Sequence, residues 1–106
     1  MAQAILTADP VQVDAKHYTV LSENDQVRVL RVSYGPNEKS VMHGHPPVVA
    51  VFLSDARFRF TLPDGRTEER SGKLGDTITM PAEQHLPENI GNNRAEVLVV
   101  ELKTRR

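Results

Sequence analysis

VVAVFLSDARFRFTLPDGRTEER, residues 48–70, decides the fold. It opens on a continuous apolar run, residues 48–53, of strand length, as expected where a strand is covered on both faces. Residues 57–62 then alternate, with Phe58, Phe60 and Leu62 on one face and Arg57, Arg59 and Thr61 on the other. That is the period of two of a half-buried strand. Pro63, Asp64 and Gly65 interrupt it, and Asp64-Gly65 accepts the positive φ that a tight turn needs. Residues 66–70 form the return arm, so the stretch reads as a central strand followed by a hairpin.

The same pattern extends outward in both directions. Upstream, residues 18–21 and 27–34 (VRVLRVSY) read as strands, followed by a loop at 35–40. Downstream, Gly72 and Gly75 bracket a turn before a strand at 77–80 (TITM), which Pro81 ends. Strands at 85–89 and 96–102 (EVLVVEL) bring the count to some seven to nine, the range of a small closed barrel, and helical periodicity is missing. A chain of 106 residues is too short for two cores, so residues 1–106 are expected to form one all-β domain. Its core should span about 18–103, with frayed ends at 1–9 and 104–106.

Composition narrows the function. Thirteen basic and 14 acidic side chains are scattered through the chain for a net charge of -1, so no basic stripe offers itself to nucleic acid. The start lacks a charged leader and apolar run, and nowhere do 18 apolar residues occur together, which predicts a cytoplasmic protein without a membrane segment. With no cysteine, any metal must rest on histidine, carboxylate and water.

His43-Gly44-His45 places two imidazoles two residues apart, on one face of a strand and close enough to share an ion. A third imidazole from another strand would close one side of the coordination sphere and leave positions open for water, dioxygen or substrate. Gly35, His43 and His45, then Gly75-Asp76, Pro81, His85 and Asn89, resemble the two motifs of the cupin family, G-x(5)-H-x-H-x(3,4)-E-x(6)-G and G-x(5)-P-x-G-x(2)-H-x(3)-N. The resemblance covers roughly residues 27–102 and implies a double-stranded β-helix, or jelly-roll barrel, with His43, His45 and His85 holding one divalent ion: iron, manganese, nickel or zinc.

The departures are informative. Seven residues rather than five separate Gly35 from His43, and the motif's glutamate falls on Val49 or Ala50, which cannot bind metal. The glycine of P-x-G is Glu83, and His85 comes one residue early, so the turn after Pro81 must be tighter or differently shaped. Some cupins that lack the glutamate, cysteine dioxygenase and diketone-cleaving dioxygenases among them, use three histidines alone on ferrous iron. The wording H-x-H-P, F-T-L-P-D-G-R-T-E-E and V-V-E-L-K is similar to small cupins assigned to β-alanine degradation.

Gln84, Glu83 and Glu88 flank His85, and strand alternation sends Gln84 and Glu88 outward unless a bulge intervenes; Glu88 is the leading substitute carboxylate. Asn89 shares parity with His85 and suits orienting a histidine or closing a loop. His17 reads as a surface residue, and Met42, Met80, Phe52, Phe58 and Phe60 as core or pocket lining. Arg31, Arg57 and Arg59 are the strand-borne cations available to steer a carboxylate.

These residues lead to a metal-dependent enzyme acting on a small molecule, most concretely a three-histidine iron dioxygenase, with an isomerase or lyase fitting the same residues. Two alternatives remain open at this point: a non-catalytic barrel that binds a small ligand, and a metal-free structural barrel. Family resemblance also implies a homodimer.

Overall fold

The computed structural model describes residues 8–103 and contains nine strands after one helical turn. In chain order these are α1 (Pro10–Val13), β1 (Tyr18–Glu23), β2 (Val27–Tyr34), β3 (His43–His45), β4 (Val48–Phe52), β5 (Ala56–Thr61), β6 (Thr67–Gly72), β7 (Thr77–Met80), β8 (Glu83–Asn89) and β9 (Ala95–Leu102). One antiparallel sheet has the order β1-β2-β9-β4-β7 and the other β3-β8-β5-β6. Strands adjacent in sequence are repeatedly sent to opposite sheets. Pro46 and Pro47 carry the chain from β3 to β4, and Pro81 and Ala82 from β7 to β8. The result is the double-stranded β-helix.

The expected hairpin at 64–65 is β5–β6, with Thr61 opposite Thr67 and Gly65 at φ 90°. Phe58 and Phe60 point into the core beside Leu30, Val32, Phe52 and Val97. Each such side chain contributes about 1.5–3 kcal/mol by leaving water.

Three expectations are corrected. The central strand β4 is not covered on both faces: Val48, Ala50 and Phe52 are buried and alternate with half-buried Val49 and Val51, because each sheet has a partner layer on its inner side. Gly72 ends β6 opposite Ala56 and leads, as expected, into the turn that contains Gly75 at φ 91°; a Cβ at Gly72 would stand 2.8 Å from the Phe52 ring, so the absent side chain also makes room for the aromatic.

The other two corrections lie near the start of the chain. Asp9, expected to fray, caps α1 by accepting the Val11 N–H at 3.0 Å and holds Arg28 at 2.9 Å; the rest of the expected fraying, at 1–7 and 104–106, lies outside the described residues. His17 is buried rather than exposed. Its Nδ1 lies 2.8 Å from Asp14 and its Nε2 3.1 Å from Glu38, while its ring stacks on Tyr34 with centroids 4.2 Å apart. Two carboxylate partners make a histidine tolerable inside.

Candidate metal centre

Strands β3 and β8 pair with His43 opposite His85, Gly44 opposite Gln84 and His45 opposite Glu83. Alternation therefore collects four ligand-type side chains, two from each strand, on one face at the end of the barrel interior. The His85 ring centroid lies 5.1 Å from that of His43 and 4.7 Å from that of His45. All three histidines line the internal cavity. Ligating atoms of His45, Glu83 and His85 fall within 4.8 Å of one another, tightly enough to hold an ion, whereas His43, expected as a ligand, lies outside that group.

Hydrogen bonds fix the tautomers. His43 Nδ1 donates to the Val41 carbonyl at 3.0 Å, His45 Nδ1 to the Pro46 carbonyl at 2.7 Å, and His85 Nδ1 to Glu83 at 2.5 Å. Because each acceptor can only accept, each Nδ1 carries the proton and each Nε2 keeps its lone pair. The Tyr18 hydroxyl lies 3.3 Å from the His43 Nε2. His45 Nε2 is buried with no hydrogen-bond partner, an arrangement that costs free energy unless something occupies its lone pair.

Burial, together with the proximity of His45, pushes His43 down to about 4 despite the Val41 carbonyl. Burial and the other two rings push His85 down to about 3 against the pull of Glu83. Both are neutral at pH 7, as ligation requires. Burial opposes ionisation of Glu83, but hydrogen bonds from Arg70 and His85 outweigh it and hold the carboxyl below its usual range. Arg70, on β6, reaches Glu83 at 2.9 Å and lies over the Phe60 ring at 4.6 Å. A chain Arg70–Glu83–His85 thus stands behind one imidazole.

The structure does not bring Glu88 or Gln84 to this cluster. The β5–β8 register runs without a bulge from Phe58 opposite Asn89 to Thr61 opposite Leu86, so Glu88 faces out and meets Arg59 at 3.7 Å, while Gln84 is exposed. The carboxylate that does arrive is Glu83, and the parity argument that turned Glu88 outward turns Glu83 inward with His85.

Arg31 and Arg57 lie on outer faces beside Glu96 and Glu69. The strand-borne cation that lines the cavity is Arg70, which the reading of charged strand positions passed over.

Asn89 is fully buried at the far end of β8, four residues beyond His85. Its Nδ2 lies within hydrogen-bonding distance of the carbonyls of Tyr34, Gly35 and Asn93 (3.0, 3.2 and 2.9 Å), and its Oδ1 accepts from Gly91 N–H. It closes loops. Asn89→Asp keeps the shape but turns a donor toward carbonyl oxygens into a buried carboxylate, and is expected to cost about 3 kcal/mol or more. Urea unfolding at pH 7 measures this, and a midpoint within error of wild type would contradict it.

No known family profile and no curated protein matches the chain. Solved structures do. A cupin domain from Bordetella pertussis is 21% identical with a TM-score of 0.75, covering 82% of this chain and 92% of that one. An RmlC-like cupin with a double-stranded β-helix fold from Methanocaldococcus jannaschii is 22% identical with a TM-score of 0.62, covering 84% and 83%. The polyketide cyclase RemF from Streptomyces resistomycificus is 25% identical with a TM-score of 0.60, covering 83% of this chain and 65% of its own.

Proposed function

We propose, for a chain that has the cupin fold, that it is a metal-dependent enzyme acting on a small molecule, with His43, His45 and His85 as the ligands of one divalent ion. The observation that carries this is the buried, unpartnered Nε2 of His45 among imidazoles whose Nδ1 protons are committed elsewhere. Neutral imidazole nitrogens suit iron, manganese, nickel or zinc. Glu83 stands behind His85 as a carboxylate that orients the ring and raises its basicity, and Arg70 keeps that carboxylate ionised.

When bound, an ion supplies Lewis-acid chemistry and, if it is iron, the binding of dioxygen. The chain itself holds the imidazoles, excludes bulk water with an apolar wall and leaves room beside the rings for a substrate. A three-histidine iron dioxygenase is the finer form of the proposal, and a cytoplasmic location, which a cysteine-free chain fits, belongs to it.

Elemental analysis of protein purified without added metal or chelating columns should find about one ion per chain by this reading. No ion in the preparation, and none taken up from iron, manganese, nickel or zinc salts, would overturn it. Zinc with no dioxygen uptake by the iron-loaded protein would remove the dioxygenase form and leave an isomerase or lyase.

One observation favours a non-catalytic ligand-binding barrel instead. The carboxylates at the cavity, Glu83 and Glu101, are both held in ion pairs, by Arg70 and Arg28, so neither stands free as a general base. Binding without turnover across substrates would support that reading.

The proposal includes a homodimer. β1 is an edge strand in which the five residues after Tyr18 are exposed, Val20 and Leu21 among them, and a second copy would cover it. Size-exclusion elution at the monomer mass over a hundredfold range of concentration would contradict this.

A further inference from the structure

We infer that the ligand of the internal cavity is a small molecule with an apolar body and a single oxygen-bearing head, the head lying at the histidine end and the body against the barrel wall. A short aliphatic monocarboxylate is the simplest member of this class. The inference rests on the metal-centre reading above and adds the chemistry of what enters beside it.

The cavity has a volume of about 80 Å³. Its wall is drawn from both sheets and is aliphatic and aromatic: Leu30, Val32, Phe52, Phe58, Ile78 and Val99. The polar side chains that reach it, apart from the imidazoles, are already engaged within the protein. The hydroxyls of Tyr18 and Tyr34 lie 2.7 Å apart and bond each other. Glu101 accepts from Arg28 Nε at 2.8 Å.

Arg70 commits its terminal nitrogens to Glu83 at 2.9 Å and Glu68 at 2.7 Å, so it is no free clamp for a carboxylate. Among the described residues, His45 Nε2 is the buried side-chain nitrogen or oxygen left without a partner. The site therefore offers one polar end and no second.

That asymmetry selects chemistry in two ways. A methylene added to the body exchanges water for apolar wall and strengthens binding about fourfold, until the space is full. A second hydroxyl, carboxylate or ammonium on the body would lose its water and find no partner, weakening binding roughly tenfold or more. An engineered cavity of about 150 Å³ holds benzene, so by proportion the space here suits a body of about three or four carbons. Sugars, diacids and amino acids are the wrong shape of polarity for it.

Ligand-observed NMR titration of the metal-loaded protein with acetate, propionate, butyrate, pentanoate and hexanoate tests this, with the ion content of each sample measured alongside. Affinity should rise about fourfold per carbon and turn over near butyrate or pentanoate. Succinate and 4-aminobutyrate should bind about tenfold or more weakly than butyrate. Met80→Ala, which widens the wall at a half-buried position, should move the optimum to a longer chain. A flat series, or succinate bound as well as butyrate, overturns the inference while the ion content stands. A protein that takes up no ion overturns the metal centre instead, and butan-1-ol against butane-1,4-diol, titrated in the same way, then decides whether the cavity still prefers a single head.

Discussion

His85→Ala protein is expected to purify without the bound ion, and His45→Ala protein likewise, each with affinity lowered by at least about a hundredfold. His85 lies 5.1 Å from the His43 ring and 4.7 Å from the His45 ring, so removing it takes away the imidazole that both others approach. Losing a direct ligand must cost more than losing a group behind one, which typically costs 10–100-fold. Glu83→Gln supplies that second comparison. It keeps the shape beside His85 but replaces a charged acceptor with an amide, and should weaken the ion about 10–100-fold without abolishing binding.

His45 is half-buried, so His45→Ala disturbs the fold less than loss of the buried His85 ring and guards against a trivial result. The measurement is ion content after dialysis against graded chelator, with circular dichroism confirming the β fold. Full ion content in both alanine variants would sink the assignment, and ion loss in Glu83→Gln as complete as in His85→Ala would make the carboxylate a ligand in its own right.

How far the sequence reveals each residue's place depends on the range of the interaction that decides it. The hairpin at 64–65 and the strand 27–34 are local events, set by turn chemistry and a period of two, and both stand where the sequence puts them. The room that Gly72 gives the Phe52 ring is not legible in the sequence, because that ring is 20 positions away in the chain and in the facing sheet. The burial of His17 is hidden for the same reason: Lys16 beside it is exposed, while the Glu38 and Tyr34 that bury it arrive from beyond β1.

Glu83 is a different case. Its parity with His85 was legible, but the family pattern places a glycine there and directs attention to a missing glutamate near residue 49. No periodicity announces Arg70 as a cavity residue, because β6 is otherwise exposed or half-buried and Arg70 turns inward to meet Glu83 and the Phe60 face.

Acid is expected to destabilise the metal-free protein well above the range in which carboxylates protonate. His43 is held down to about 4 and His85 to about 3, chiefly by burial, against 6.5 in the unfolded chain. Between these values the unfolded chain binds protons that the folded chain refuses, so stability is complete above about pH 6.5 and falls as pH is lowered toward the folded values. At about 1.4 kcal/mol per unit, His43 alone contributes a loss of about 2 kcal/mol by pH 5 and about 3 by pH 4. The two charged rings would also repel each other, so the second protonation is harder than the first.

Carboxylates are shifted in the same direction as the histidines but titrate in a lower window. Glu38 is drawn down to about 2, first by the Gly35 N–H and then by His17, and Asp9, Glu83 and Glu96 are also lowered, so their contributions are lost only below about pH 4.5. A fall in stability between pH 6.5 and 5 therefore belongs to the histidines. Urea midpoints of metal-free protein should drop by about 1–2 M between pH 7 and pH 5. A His43→Gln/His85→Gln double variant should show a nearly flat profile over the same range, and a wild-type midpoint unchanged down to pH 5 would mean that the rings are not buried as neutral imidazoles. A bound ion competes with the proton for the same lone pairs, so at pH 5 the loaded protein should be the more stable of the two and should release its ion as it unfolds.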